Sequence, residues 1–421
     1  MNVKNEVAAR NFGKAQTNEN PRGEKVADNV YKRPKPSKGP DNLKALETAS
    51  GRGPYNFDIE KILLQVTVAL EKITEYSAAT KVKETKLAET VKTMAGQMCA
   101  NLTKEEFDGD KRGSRDDFIE VIKASTIKLE DVPEYRAKQI DPTNFKDILY
   151  SEDQINNDHN RAVKIVEEMQ KINRKNFSVQ DLAYEKRLSN DGYRKLLSDA
   201  MEASICMVSN YHKWFGECTG QRTAFADDVI SKADMVLEVP SLDHANKKAG
   251  NFFVGVKIDV TTAKSTEVAA KKEEGIKRLQ AYIARRTDDE KAARRVSVLY
   301  HIDKDGNKMK IEPIIPLVLS IDFLEAERLI KFINILLEIP DKGSIEAFVA
   351  NAIMSAHPLQ ADLVGQMVEQ LEILKEKFPS TAKAAKASSS FSDEAKRIGE
   401  QIEKLYKFFS FQLTKEKNSA E

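Results

Sequence analysis

From Phe57 onward, apolar residues recur every three or four positions. Ile59, Ile62, Leu63, Val66, Leu70 and Ile73 fall on one stripe, the signature of an amphipathic helix. The same spacing predicts helices at about 80–100, 115–124, 160–173 and 178–188. The last opens on Ser178 with Asp181 three residues on, a capping-box variant. A further helix is predicted over 193–215, where Leu196, Leu197, Met201, Ile205 and Val208 keep helical spacing with Glu202 among them.

The period then changes from 3.6 to 2. In 233–240, Asp234, Val236 and Glu238 alternate with Met235, Leu237 and Val239, so a half-buried strand is predicted, stopped by Pro240. In 252–262, Val254, Val256, Ile258 and Val260 form a buried face, with Gly255, Lys257, Asp259 and Thr261 opposite. Two strands joined by a short polar loop pair most simply in antiparallel. A Lys- and Glu-rich helix follows at about 266–286. Strands are then predicted at 295–302 and 314–321, with the DKDGNK turn and a short MKIEP extension between them.

After about 340 the helical period returns. Leu359, Leu363, Met367, Leu371 and Leu374 form one stripe, and Ile398, Ile402, Leu405 and Phe408 another, with the last helix at about 393–412. Such stripes predict docking on the body of the protein or on a second copy, a homo-oligomer through the C-terminal helices. The run 380–392 is low in bulky apolar residues and reads as a linker, and Ser392-Asp393-Glu394 is a favourable helix start.

Composition adds boundaries. With 421 residues, 41% hydrophobic and 32% charged, the chain has apolar material for a large core. Residues 1–55 hold five of the thirteen prolines, five of the eighteen glycines and eleven Lys or Arg against six Asp or Glu, the composition of a disordered basic tail. The expected organisation is that tail, a helical region at 56–190, an α/β module at 191–340 and C-terminal helices at 341–421. Cys99, Cys206 and Cys218 are odd in number and lack CxxC spacing, which excludes a zinc ribbon and suggests no disulfide framework. With no apolar run long enough to span a bilayer, the reading is of a cytoplasmic protein without a membrane partner.

The motif search excludes several chemistries. GxGxxG, GxxxxGK[ST], GxSxG and HExxH are all absent. In 108–120, Asp108, Asp110 and Gly113 match three positions of a calcium loop, but Arg112 and Ile119 stand where a ligand and the bidentate glutamate are needed. Trp214, beside Tyr211 and Phe215, reads as a core aromatic cluster.

The order helix, strand or strands, strand, helix, strand, with Asp234 and Asp259 on successive strands, resembles the PD-(D/E)xK nuclease-like superfamily. The resemblance spans about 130 residues. It implies a fold of mixed α+β and α/β character: a helix-rich protein with a small central mixed sheet flanked by helices, as in restriction endonucleases. It implies a Mg²⁺- or Mn²⁺-dependent nuclease acting on nucleic acid, with Asp234 and Asp259 as the two acids and Glu202 as the accessory acid on the first helix. Thr261 stands where the family has its lysine, and Lys257, Lys264, Lys271 and Lys272 are the substitutes at hand. Asp234, Asp259, Lys264 and Lys272 are therefore the catalytic candidates, and Asp234, Asp259 and Glu202 the metal ligands. Two carboxylates suit Mg²⁺, a hard ion held by one or two carboxylates, water and substrate phosphate. The competing expectation is a helical scaffold whose α/β module is inert.

Overall fold

A computed structural model describes residues 62–66, 84–103, 112–175, 184–240, 252–261, 265–285, 293–379 and 393–418. All of these belong to the unit spanning Thr48–Glu421. Tail residues 1–55, the Ser178–Asp181 capping pair, Lys264 and the linker at 380–392 lie outside the described residues. Helices α1 (Glu84–Thr103), α2 (Arg112–Asp131), α3 (Glu152–Lys175) and α4 (Tyr184–Asn210) precede the sheet. Helix α4 is continuous where the period suggested two helices separated near Gly192. The cost of a mid-helix glycine, about 1 kcal/mol, is small against the packing of Tyr193, Leu197 and Met201, all nearly fully buried.

The sheet has four strands in the order β1 (Thr219–Arg222), β2 (Met235–Val239), β3 (Phe252–Thr261), β6 (Ile315–Asp322). The first three pair antiparallel, with Met235 opposite Val256 and Leu237 opposite Val254. Strand β6 lies parallel to β3, with Asp259 opposite Ser320. A parallel neighbour needs a crossover, supplied by α6 (Ser265–Arg285). Between β1 and β2 lies the short α5 (Phe225–Ser231).

Strands β4 (Val298–Ile302) and β5 (Lys308–Ile311) form a separate hairpin. Its turn is the predicted DKDGNK: Asp303 Oδ1 accepts from the N–H groups of Asp305 and Asn307 at 2.9 and 2.7 Å. The hairpin stays off the main sheet because β4 has another partner. The fully buried Asp227 carboxylate of α5 accepts the N–H groups of Leu299 and Tyr300 at 3.0 Å each and pairs with Arg294 at 2.9 Å.

One face of the sheet, with Met235, Leu237, Val254, Val256 and Ile258, joins the main core together with Leu197 and Met201 of α4. The opposite face carries Val236 and Phe253 against Val298, Ile311 and Ile314. Gly255 permits that second contact, because a Cβ there would meet Ile314 Cδ1 at 2.5 Å.

Helices α7 (Phe323–Glu338), α8 (Ile345–Ser355), α9 (Leu359–Lys377) and α10 (Asp393–Asn418) complete the fold. The main core contains Val91 of α1, Phe118 of α2, the sheet, and Leu371, Ile398 and Phe409 near the C-terminus. The sequence segments 56–190, 191–340 and 341–421 therefore share one core. The α10 stripe docks within the chain: Ile398, Ile402, Leu405 and Phe408 are at most 3% exposed, with α10 packed along α9. Gly399 admits the crossing, since a Cβ there would lie 2.7 Å from the Phe378 carbonyl oxygen.

Both sheet edges are closed by side-chain amides. On β6, Gln370 exchanges hydrogen bonds with the Val318 backbone (2.9 and 2.8 Å), and Gln366 does the same with Ser320 (2.8 and 2.9 Å). Residues 366 and 370 are one helical turn apart, and 318 and 320 share a strand side. Two glutamines of α9 thus serve the edge as a partner strand would. On β1, Asn210 exchanges two 2.8 Å hydrogen bonds with Gly220. Among the described residues, no helix is long and apolar enough to cross a membrane.

Candidate active site

On the sheet face that carries Val236 of β2, the apolar positions of β3 end at Gly255, and Lys257 and Asp259 follow, with Asp234 just ahead of β2. Here the sheet opens into a cavity of about 360 Å³. Five carboxylates line it: Asp234 and Asp259 from the strands, Glu202 and Asp199 from α4, and Asp228 from α5. Three lysines line it as well: Lys257 from β3, Lys271 from α6 and Lys195 from α4.

Asp234 precedes β2 and is held by the sheet itself. Its N–H donates to the Val256 carbonyl at 2.9 Å, and its Oδ2 accepts the Ile258 N–H at 2.6 Å. Burial pushes its carboxyl well above the usual carboxylate range. Glu202 and Asp228 push the same way, Lys257 and the Ile258 N–H oppose. Glu202 is pushed up to about 7, first by burial, then by Asp228 and Asp199. It is opposed by Arg222, whose Nη2 lies 3.0 Å from Glu202 Oε2. Arg222 is itself buried and also binds Glu130 at 2.7 Å, so Glu202 is anchored to β1 and α2.

Asp259 is the best-placed acid for an incoming cation. Its Oδ1 is paired with Lys271 Nζ at 2.6 Å, while its buried Oδ2 has no hydrogen-bond partner. Lys271 is the lysine that reaches Asp259, and Lys272 is not. Lys272 lies outside the cavity lining, with Glu369 of α9 as the anion acting on it, and burial lowers its pKa. Adjacent residues on a helix point about 100° apart, so only one of the two can face β3. Lys257 does line the cavity.

The donor set fits a hard divalent cation. The lining offers carboxylate oxygens and no His or Cys, one buried carboxylate oxygen is unpartnered, and Glu202 and Asp228 both disfavour the charged form of Asp234, which a cation among them would favour. Among the described residues, no three His, Cys, Asp or Glu side chains converge as a ready-made metal cluster. Mg²⁺ requires none, since it keeps several waters and takes one or two carboxylates.

Comparison with protein-family models, curated proteins and solved structures gave no match.

Three charged lining residues carried no mark of their own in the sequence pattern. Asp199 and Lys195 precede Glu202 by three and seven positions, on its helical face, a spacing that periodicity could have flagged. Asp228 sits on α5, whose seven residues carry no periodic signal. Lys232, which ends α5, has φ +57°. A glycine adopts that conformation freely, whereas for lysine it costs on the order of 1 kcal/mol.

Proposed function

We propose that this protein is a Mg²⁺- or Mn²⁺-dependent phosphodiesterase acting on nucleic acid, built on the PD-(D/E)xK nuclease plan with its lysine moved to the crossover helix. The observation that carries this reading is the gathering of Asp234, Asp259, Glu202 and Lys271 in one cavity, with Lys271 paired to Asp259 at 2.6 Å. The helix, antiparallel meander, crossover helix and parallel strand around it agree with the resemblance.

Asp234 and Asp259 would hold the metal, with Glu202 as accessory acid. When bound, the metal polarises the phosphodiester and lowers the pKa of a water for attack at phosphorus. Asp259 lines the cavity and its Oδ2 has no hydrogen-bond partner. Lys271 lies where an ammonium can stabilise charge growing on the phosphoryl oxygens. Arg222 keeps Glu202 oriented, and the Ile258 N–H fixes the rotamer of Asp234.

The test is cleavage of a labelled oligonucleotide by the full chain with Mg²⁺, with Mn²⁺ and with chelator. Cleavage is expected only with metal. Asp259→Asn should lower it by orders of magnitude with little change in melting temperature. Equal cleavage by the Asn variant, or no cleavage and no metal-dependent shift in melting temperature, overturns the reading.

A further inference from the structure

Carboxylates in and around the sheet are held in two ways. Asp227 accepts the N–H groups of Leu299 and Tyr300 at 3.0 Å each and pairs with Arg294 at 2.9 Å, and Asp234 accepts the Ile258 N–H at 2.6 Å. Backbone donors of this kind cannot withdraw while the fold stands. Asp259 is held differently. Its side chain is 13% exposed, yet among the described residues its one partner is the Lys271 ammonium, 2.6 Å from Oδ1, and its buried Oδ2 has none. Lys271 belongs to another element, α6, and its side chain is 37% exposed on a flexible four-carbon stem. The ammonium can therefore leave Asp259 without breaking any part of the fold.

The surrounding charge says what would take its place. The cavity lining holds five carboxylates against three lysines, an excess of two negative charges when all are ionised. Arg222, from outside the lining, offsets Glu202 but is shared with Glu130. Among the described residues, Lys271 and Asp259 form the one ion pair between two lining residues. A divalent cation in the ammonium's place on Asp259 would bring one more positive charge to this excess, and a hard ion is suited to carboxylate oxygen.

Resting on the metal-dependent reading of the cavity, we infer that Lys271 is the built-in counter-ion of an exchangeable cation site. It holds Asp259 when no metal is present, and it competes with the metal for that carboxylate. On exchange Asp259 becomes a ligand, and the freed ammonium, still tethered to α6, turns to the substrate phosphate. The lysine that serves the phosphate is thus withheld until Asp259 has its metal.

The experiment uses the full chain with Mn²⁺ alone as the probe and no nucleic acid, the free ion being followed by its electron paramagnetic resonance signal. Lys271→Met keeps the length of the side chain and removes the competitor. It should tighten Mn²⁺ binding about five- to tenfold, the size of a partly exposed ion pair. Lys271→Arg, whose planar fork pairs with both oxygens of a carboxylate, should weaken it. Lys257→Met removes a lining charge that is not paired to Asp259 and should tighten binding by less than Lys271→Met does. In chelator, Lys271→Met leaves Asp259 buried without a partner, so it should melt below wild type, and Mn²⁺ should raise its melting temperature by more than it raises that of wild type.

Equal tightening by the two Met variants would reduce Lys271 to one charge among three and overturn the exchange, as would an absence of Mn²⁺ binding by the wild type. Lys271→Arg decides alone if Lys271→Met does not fold, and binding as tight as wild type then overturns the exchange. The expected ranking without cleavage of any oligonucleotide would keep the cation site and overturn the phosphodiesterase reading. Metal-dependent cleavage without the ranking would do the reverse.

Discussion

Lys271 Nζ lies 2.6 Å from Asp259 Oδ1, although the two residues are twelve positions apart and belong to different elements. The pair joins the start of α6 to the end of β3. It places an ammonium beside the acid in a chain whose strand carries Thr261 two residues after Asp259.

That pair yields a ranking. Of the alanine variants at Lys257, Lys271 and Lys272, Lys271→Ala should be the most damaging to metal-dependent cleavage, by about 10²- to 10³-fold in kcat. Lys272→Ala should stay near wild type. Single-turnover rates at saturating oligonucleotide check this, and equal losses at Lys271 and Lys272 would refute the assignment.

Arg222 is a buried cation shared by Glu202 and Glu130. Arg222→Leu leaves Glu202 buried without its partner and should cost about 3 to 5 kcal/mol of unfolding free energy. Adding Glu202→Gln to that variant should recover part of the loss, because the uncompensated charge is gone. Urea unfolding of the single and double variants measures both, and strict additivity would argue against the coupling.

Three buried histidines predict acid sensitivity. Burial pushes His212, His301 and His357 down to about 3 from the ordinary 6.5. Between those values the unfolded chain takes up protons that the folded chain refuses, so stability present above pH 6.5 is lost as the pH falls toward 3. Each histidine contributes about 1.4 kcal/mol per pH unit within that window. His357 stacks on Trp214, and its Nδ1 accepts the Leu359 N–H. His357→Asn keeps an acceptor and should flatten the stability–pH slope by about one proton between pH 6 and 4. An unchanged slope would show that His357 is not buried neutral.

Gln370 predicts a structural cost far from the cavity. Gln370→Ala removes both partners of the buried Val318 backbone, and each unsatisfied group costs about 1 to 3 kcal/mol. The variant should unfold at lower urea and associate more readily through the bared β6 edge. The same substitution also removes the 2.9 Å hydrogen bond from Gln370 Nε2 to the backbone carbonyl of Gln366. Light scattering alongside urea unfolding follows both effects.

Much was legible before folding was considered. The alternation in 233–240 and 252–262 reports which side of a strand is wet, so Asp259 could be placed on its strand, whereas Asp234, expected on the neighbouring strand, lies one residue ahead of it. The stripes of α9 and α10 are likewise local, and the structure buries them as their period requires. Helix α7 carries a local signal as well, the N-cap Asp322 before an apolar period. Strand β1 carried none: Thr-Gly-Gln-Arg has no apolar residue, and its Gly220, Gln221 and Arg222 are buried because Asn210, Arg136, Glu202 and Glu130 satisfy them from elsewhere.

The sequence by itself determined the elements, because periodicity depends only on neighbours a few residues apart. It could supply four lysines and an acid on α4, but not their meeting. Only the tertiary structure decided that β6, not β4, lies parallel to β3 and that Lys271, not Lys272, turns toward Asp259. It also brought Glu202 and Asp228 close enough to Asp234 to push its carboxyl upward. Charge interactions act through space, and the distances among α4, α5, α6 and the sheet are set by the shared core, which no local pattern encodes.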